Sequence, residues 1–469
     1  MRTVLTNSRS LQQIDDCHFD KLRPDRSFHF DADRLIRRLT LGSRVIDSSV
    51  MVYPGDERAA RSDPLGMWWT AYLEGRLPSS AQDTSWLGVV DLFCGSGGLA
   101  LGVRQLAHEM GYSVINEVIV DSDVDATRTL AANHDVRLRC TDSVTSLVDF
   151  RVRGSGEAAT FTYAPELLDD ELADAACRAD LLTAGPPCQG HSNLNNRSRR
   201  SDMRNHLLLT VPAFAVAAKI DRVLIENVPA VVHDDASVIA TTRALLESVG
   251  YQVTDGVLAC DKMGWPQTRK RYFMVACRHS EPIPLESIAE CLADKKPRTL
   301  EWALSHLDAW PADPADPLDQ STEHNEENQR RIDWLFDNDE YDLALSERPE
   351  CHKEGTSYTS VYGRMRPNEP APTITTGFTT PGRGRFIHPT ERRTLTPREA
   401  AVIQGFPLDY RFITESGASP SRSQLAKWIG DAVPMPLGYA AALSALAGYR
   451  GVSQRLKRAS SARLRRGSG

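Results

Sequence analysis

The apolar run Val89-Val90-Asp91-Leu92 enters a glycine turn, Phe93-Cys94-Gly95-Ser96-Gly97-Gly98, and leaves it in a helical pattern near Leu99. A strand that turns on glycines straight into a helix opens a crossover unit. Such units build parallel sheets, with ligands at the strand ends. A second apolar stretch, Val118-Ile119-Val120, ends in Asp121, where a ribose-binding carboxylate belongs. Gly95-x-Gly97-x-x-Ala100 also satisfies the dinucleotide fingerprint. The loop by itself therefore specifies a nucleoside cofactor and does not choose between nicotinamide and adenosyl groups.

Further on, the short apolar segment Ala179–Ala184 runs into Gly185-Pro186-Pro187-Cys188-Gln189. Each proline ring fixes its own φ and Pro187 also restricts Pro186, so Cys188 is carried on a stiff backbone. Asp221–Ile225 reads as another buried strand, followed by Glu226-Asn227-Val228. A thiol and a carboxyl at neighbouring strand ends supply a nucleophile and a proton donor, the pair needed for covalent catalysis on an electron-poor ring.

Three more segments complete a recurring order: Gln267-Thr268-Arg269-Lys270-Arg271, Leu395 to Ala401 and Gly430-Asp431-Ala432-Val433-Pro434. Six motifs in this sequence, from about Val89 to Pro434, resemble the DNA cytosine-5 methyltransferase family. The resemblance implies an α/β fold: a class I methyltransferase-like, mostly parallel twisted sheet with helices on both faces, plus a smaller irregular target-recognition domain. It implies S-adenosyl-L-methionine as cofactor and double-stranded DNA as substrate, with the cytosine flipped out of the helix.

Roles carry over by position. Cys188 supplies the thiolate that adds to C6, Glu226 protonates N3, and Asn227 holds the cysteine loop. Arg271 reaches the base, Arg269 lies near phosphate, and Arg204, with Asp202, contacts the base or its phosphate. Phe93 lies against adenine, Asp121 on the ribose, Asp142 on the adenine amino group, and Leu207 lines that pocket. Gly95 and Gly97 let the backbone approach the methionine portion, and Asp431 falls in the last cofactor motif. Asp121 stands where glutamate is usual, His191 where an aromatic residue is usual, and Asp431 where asparagine is usual.

The remaining features set boundaries. The chain has 469 residues, 41% of them hydrophobic and 25% charged, as in ordinary globular proteins, and no apolar run approaches a membrane span. Nine cysteines without a Cys-x-x-Cys pair indicate neither zinc nor a disulfide framework, so no metal is expected, and the odd count with one presumed nucleophile points to a reducing cytoplasm. The excess of arginine over lysine suggests a bacterial source, and the resemblance to DNA methyltransferases implies a place near the nucleoid. A net charge of −7 does not advertise DNA binding, but local patches set phosphate contacts. Arg197 and Arg199 follow Cys188, and Arg383 and Arg385 fall in a later arginine cluster with Arg392 and Arg393. The expected reading surface comprises Arg364–Pro367, Thr373–Thr376 and Gly382–Arg385.

The organisation read from these motifs is an N-terminal extension (1–86), a catalytic domain (87–280) and a target-recognition region (281–424), followed by a returning segment (425–450) and a basic tail (451–469). Ala32–Leu39 and Met67–Leu73 are expected as helices, Asn133 to Asp180 as an insertion, and Leu437–Tyr449 as a helix back on the core. The expected assembly is a monomer on DNA, with restriction or other phage-defence proteins as partners. Two rivals stay open: a tRNA cytosine methyltransferase, whose Cys-Phe-Thr tripeptide is absent here, and a catalytically silent DNA-binding relative, which would usually lack Cys188 or Glu226. A nicotinamide oxidoreductase leaves both of those residues unexplained.

Overall fold

A computed structural model describes residues 24–80, 85–187, 207–233, 237–350 and 360–451. It begins with an antiparallel sheet of β1 (Asp25–Asp31), β2 (Arg34–Leu41) and β3 (Arg44–Met51), then helix α1 (Pro64–Leu73) and the short β4 (Ser79–Ser80) beside β3. The helix expected over Ala32–Leu39 is therefore a strand. Leu35, Arg37, Leu39 and Leu41 point inward at a period of two, and β2 is paired on both sides. The helix expected at Met67–Leu73 forms as α1, with the Asp63 side chain accepting from the Gly66 N–H and Pro64 in its first turn.

The main sheet follows from β5 (Ser85–Leu92), α2 (Gly98–Glu109), β6 (Tyr112–Val120), α3 (Val124–Ala131), β7 (Val136–Cys140), β8 (Leu181–Ala184), α4 (Thr210–Ala217), β9 (Arg222–Asn227), α5 (Val238–Ser248), β10 (Gln252–Ala259) and β11 (Lys270–Cys277). Its seven strands lie in the order β10-β11-β9-β8-β5-β6-β7. Strands β5 to β9 run parallel, and β11 runs antiparallel to β9 and β10. Val89, Leu181 and Leu224 face α2, while Val90, Leu182 and Val223 face α4, so the central strands are apolar on both sides. Asn133 to Asp180, expected as an insertion, supplies edge strand β7 and the helix Asp170–Ala176 that leads the chain back to β8. A parallel strand needs a crossover, and this segment provides it.

Beyond the sheet come α6 (Leu285–Leu292), α7 (Leu300–Ser305), α8 (Glu326–Asp337), α9 (Pro397–Gln404), α10 (Arg422–Asp431) and α11 (Met435–Leu446). Leu285, Ile288, Leu300 and Ala303 share a core with α11, α2 and the N-terminal sheet. A smaller core gathers Ile332, Leu335, Leu343, Val361, Tyr362 and Ile387. Helix α11, expected from its alanine-rich sequence, packs along α2 and β11. No helix among the described residues is long and apolar enough to cross a membrane.

Candidate active site

Strand order reverses between β5 and β8, which is where open α/β sheets leave a crevice for ligands. The strand ends there are tied side to side. The Cys94 N–H donates to the Val120 carbonyl (3.2 Å), the Asp121 N–H to the Cys140 carbonyl (3.3 Å), and the Gly185 N–H to the Leu92 carbonyl (3.3 Å). Phe93, Asp121, Asp142 and Gly185 thus follow successive strands along one rim.

The glycine turn is held from both sides. Gly97 has φ +95°, and a Cβ there would stand 2.7 Å from the Tyr410 hydroxyl, which donates to the Ser96 carbonyl. Asp121 accepts from the Gly95 N–H through one oxygen and from the Asp123 N–H through the other, each at 2.9 Å. Each oxygen keeps a second lone pair for a ligand hydroxyl. Asp142 is exposed beyond β7, and Leu207 is half-buried with its carbonyl accepting from the Thr210 hydroxyl.

Helix α10 closes this side. Ser96 Oγ donates to the Trp428 carbonyl (3.1 Å), while Trp428 Nε1 and Lys427 Nζ both reach Asp123 Oδ2 at 3.1 Å. The sequence reading missed Tyr410, Trp428, Lys427 and Asp123. Only Asp123 left a local signal, a helix cap that accepts from the Ala126 N–H.

The acid half lies on β9 and β11. Glu226 is buried, and Arg271 Nε meets its Oε1 at 2.9 Å. Desolvation pushes the Glu226 carboxyl above the ordinary carboxylate range; Arg271 and Arg269 pull it down, and Asp431 pushes it up again. Asn227 Nδ2 donates to the Pro186 carbonyl (3.4 Å), on the turn that leads to Cys188.

Cys188, Arg197, Arg199 and Arg204 lie outside the described residues. Among the described thiols near the cleft, Cys94 and Cys260 are buried and pushed well up by desolvation, which suits neither to act as a nucleophile.

Two expectations about arginines need correction. Arg269, expected near phosphate, is 2% exposed, and its guanidinium donates to the Ile374 and Gly430 carbonyls. Burial makes it a brace between β11 and α10. Arg385, expected to read bases, is bound to Asp342 and to the Tyr341 and Arg364 carbonyls. Arg364, Arg366 and Arg392 likewise pair with Asp339, Asp342 and Asp337, and Met365 and Ile374 are buried. The acidic stretch before them absorbs most of the cluster. Arg383 remains exposed.

A doubly wound sheet with a glycine turn and a buried acid at its switch point defines a nucleoside-cofactor enzyme of the methyltransferase type. Residues 87–446 match the family model for C-5 cytosine-specific DNA methylase, and the chain belongs to that family. It is a DNA cytosine-5 methyltransferase of the bacterial restriction-modification kind. It is 36% identical over 372 residues to the type II methyltransferase M1.BsuMI of Bacillus subtilis (strain 168), covering 79% of this chain and 82% of that one. It is 29% identical to the type II methylase M.HgiDII of Herpetosiphon aurantiacus, covering 78% and 97%. A solved structure of S. pombe Dnmt2 methyltransferase shares the fold, with TM-score 0.51 and 16% identity over 77% of this chain and 98% of that one. The family model begins at residue 87, so the N-terminal sheet lies outside it.

Proposed function

We propose that this protein transfers a methyl group from S-adenosyl-L-methionine to C5 of a cytosine flipped out of a specific double-stranded DNA sequence, through a covalent bond between Cys188 and C6, in a system that protects host DNA against phage. The observation that carries this reading is the Glu226–Arg271 pair at the end of β9, beside the Gly185-Pro186-Pro187 turn that leads to Cys188. The names of the two type II relatives support the restriction-modification setting.

The residues at the β5–β7 ends suit the cofactor. A Cβ at Gly95 would meet nothing within 4 Å, so the turn leaves room above its backbone. Phe93, Gly95, Gly97, Asp121, Asp142 and Leu207 would hold the nucleoside and the methionine portion. When bound, S-adenosyl-L-methionine supplies an electrophilic methyl group.

The chain's own residues do the rest. Sγ of Cys188 bonds to C6 as Glu226 gives its proton to N3, which turns the ring into an enamine nucleophilic at C5. Arg271 steadies the glutamate and the base. After methylation the C5 proton passes to solvent water, the Sγ–C6 bond breaks with its electron pair returning to sulfur as the thiolate, and the N3 proton returns to Glu226. A buried acid that keeps its proton until the base arrives is what this order of events requires.

Fluorine at C5 cannot leave as a cation, so the adduct should stall on duplex DNA carrying 5-fluorocytosine. With S-adenosyl-L-methionine present, wild-type enzyme should give a denaturation-resistant protein–DNA band, and Cys188→Ala should lose it. A wild-type enzyme that methylates ordinary DNA yet never forms this band rules the covalent route out.

A further inference from the structure

The glycine turn carries strain that its glycines do not relieve. Phe93 stands at φ +57°, and Gly95 and Gly97 follow at +51° and +95°, so left-handed backbone recurs across the whole turn. Glycine takes this region freely, whereas a phenylalanine is strained there. Such a backbone persists only where its surroundings over-determine it. Two ties come from the sheet, the Cys94 N–H to the Val120 carbonyl and the Gly95 N–H to Asp121. Two more come through Ser96, which is 3% exposed. Its carbonyl accepts from the Tyr410 hydroxyl at 2.5 Å, and its Oγ donates to the Trp428 carbonyl at 3.1 Å.

Tyr410 is itself held in place. Its ring packs against Phe406 and Phe412, with centroids 4.9 and 5.3 Å away, and meets His134 edge to face at 6.3 Å. The hydroxyl lies so close to the turn that a Cβ on Gly97 would stand 2.7 Å from it. Burial pushes the phenol up, so it remains a donor. The backbone beyond is anchored separately on α3: the Ile413 N–H donates to Thr129 Oγ1 at 3.1 Å, and the Thr129 hydroxyl donates to the Ile413 carbonyl at 2.7 Å. The Tyr410 hydroxyl can therefore be removed with the ring and the segment still held by other contacts.

Resting on the reading of this turn as the S-adenosyl-L-methionine site, we propose that Tyr410 is a positioning residue for the cofactor. Its hydroxyl acts through the Ser96 carbonyl and holds the strained turn in the shape that presents Phe93 and the Gly95 backbone to the ligand. Without that donor the turn relaxes toward the backbone that Phe93 prefers. Part of the binding free energy then goes into restoring the turn. Tyr410 lies 314 positions after Ser96, in the segment that follows α9. A residue from the region read as target-recognition thus completes the support of the cofactor site.

The test is calorimetric titration of the full chain with S-adenosyl-L-methionine, alongside thermal unfolding of the same preparations. Tyr410→Phe should weaken binding roughly three- to tenfold, the range for one lost hydrogen bond. Ser96→Ala removes the tie to Trp428, should act in the same direction, and gives a reading even if Tyr410→Phe folds poorly. Thr129→Val removes the side-chain hydrogen bonds that anchor the same segment to α3. It should lower the unfolding midpoint at least as far as Tyr410→Phe does, yet leave cofactor affinity at the wild-type value. Wild-type affinity in both Tyr410→Phe and Ser96→Ala overturns the proposal. So does an equal loss of affinity in Thr129→Val, because loosening the segment anywhere would then have the same effect. A wild-type chain that binds no S-adenosyl-L-methionine brings down the cofactor reading itself, an outcome visible before any variant is made.

Discussion

Arg37 meets Glu109 where neither side chain touches solvent, whereas Arg271 meets Glu226 with 15% and 11% of their side-chain surface still open to the cleft. The Arg37 guanidinium also bonds the Tyr439 hydroxyl and lies over the rings of Trp68 (4.6 Å) and Tyr439 (4.9 Å). It joins the N-terminal sheet to α2 and α11, and nothing can enter to exchange its partners. The Arg271–Glu226 pair keeps part of its surface open to solvent, which is what the proposed meeting of Glu226 with a base beside Arg271 requires. The same kind of ion pair fastens one face of the fold and, in the proposed function, equips the other for chemistry; the difference is solvent access.

Substitution should split the two pairs by what is lost. Glu226→Gln should cut methyl transfer by roughly 10²–10⁴-fold, the range for a lost general acid, while thermal unfolding stays close to wild type. Arg37→Met should do the reverse. It strands Glu109 as a buried charge, at a cost of about 3–5 kcal/mol in stability, yet leaves activity per folded molecule near wild type. Denaturant melts and single-turnover rates on the same preparations check both. If Arg37→Met lowers the rate of fully folded enzyme as far as Glu226→Gln does, the sealed pair is not merely a fastening.

A smaller effect should divide Arg383 from Arg385. Arg385 is engaged by Asp342 and two carbonyls, so Arg385→Ala should loosen the small core and lower the unfolding midpoint without changing which sites are methylated. Arg383 is exposed, and Arg383→Ala should relax site choice by about 1–3 kcal/mol if it touches a base. Sequencing methylated DNA at single-base resolution reads the outcome. Altered sites with Arg385→Ala and unaltered sites with Arg383→Ala would reverse the assignment.

What was legible in the sequence follows the range of the interactions. The glycine turn, the strands ending at Asp121 and Glu226, and the helix over Met67–Leu73 are written in neighbouring residues, and each was placed from the chain alone. Arg37 was not, because its partners Glu109 and Tyr439 lie 72 and 402 positions away. A charged residue in Leu35-Ile36-Arg37-Arg38 suggests a helix face until the partner that buries it is known. The arginines at 364–392 misled for the same reason, since their acids sit 24 to 55 positions earlier. The clamp of Trp428 and Lys427 on Asp123 spans about 300 positions, and only the fold brings it together.

Asp91 tests the comparison in its mildest form, as a buried carboxyl with no arginine. It is 1% exposed; the Thr183 hydroxyl donates to Oδ1 at 2.7 Å, and Oδ2 has no hydrogen-bond partner among the described residues. Desolvation pushes it up to about 7, with Asp121 adding to the effect. Its folded-state pKa is thus above the unfolded value near ~3.9. The folded chain keeps this proton while the unfolded chain releases it, so the associated stability is full below about pH 4 and is lost as pH rises through 7. Asp91→Asn cannot titrate, and any cost of its unpaired amide is the same at every pH. The melting temperature of the variant minus that of wild type should therefore climb between pH 5 and pH 7, by roughly a few °C, and then level off. A difference that stays flat across that window would mean Asp91 ionises as easily as an exposed carboxyl. Burial without an opposite charge would then not suffice to keep a carboxyl of this fold protonated, and solvent access would not be what separates the sealed sites from the open one.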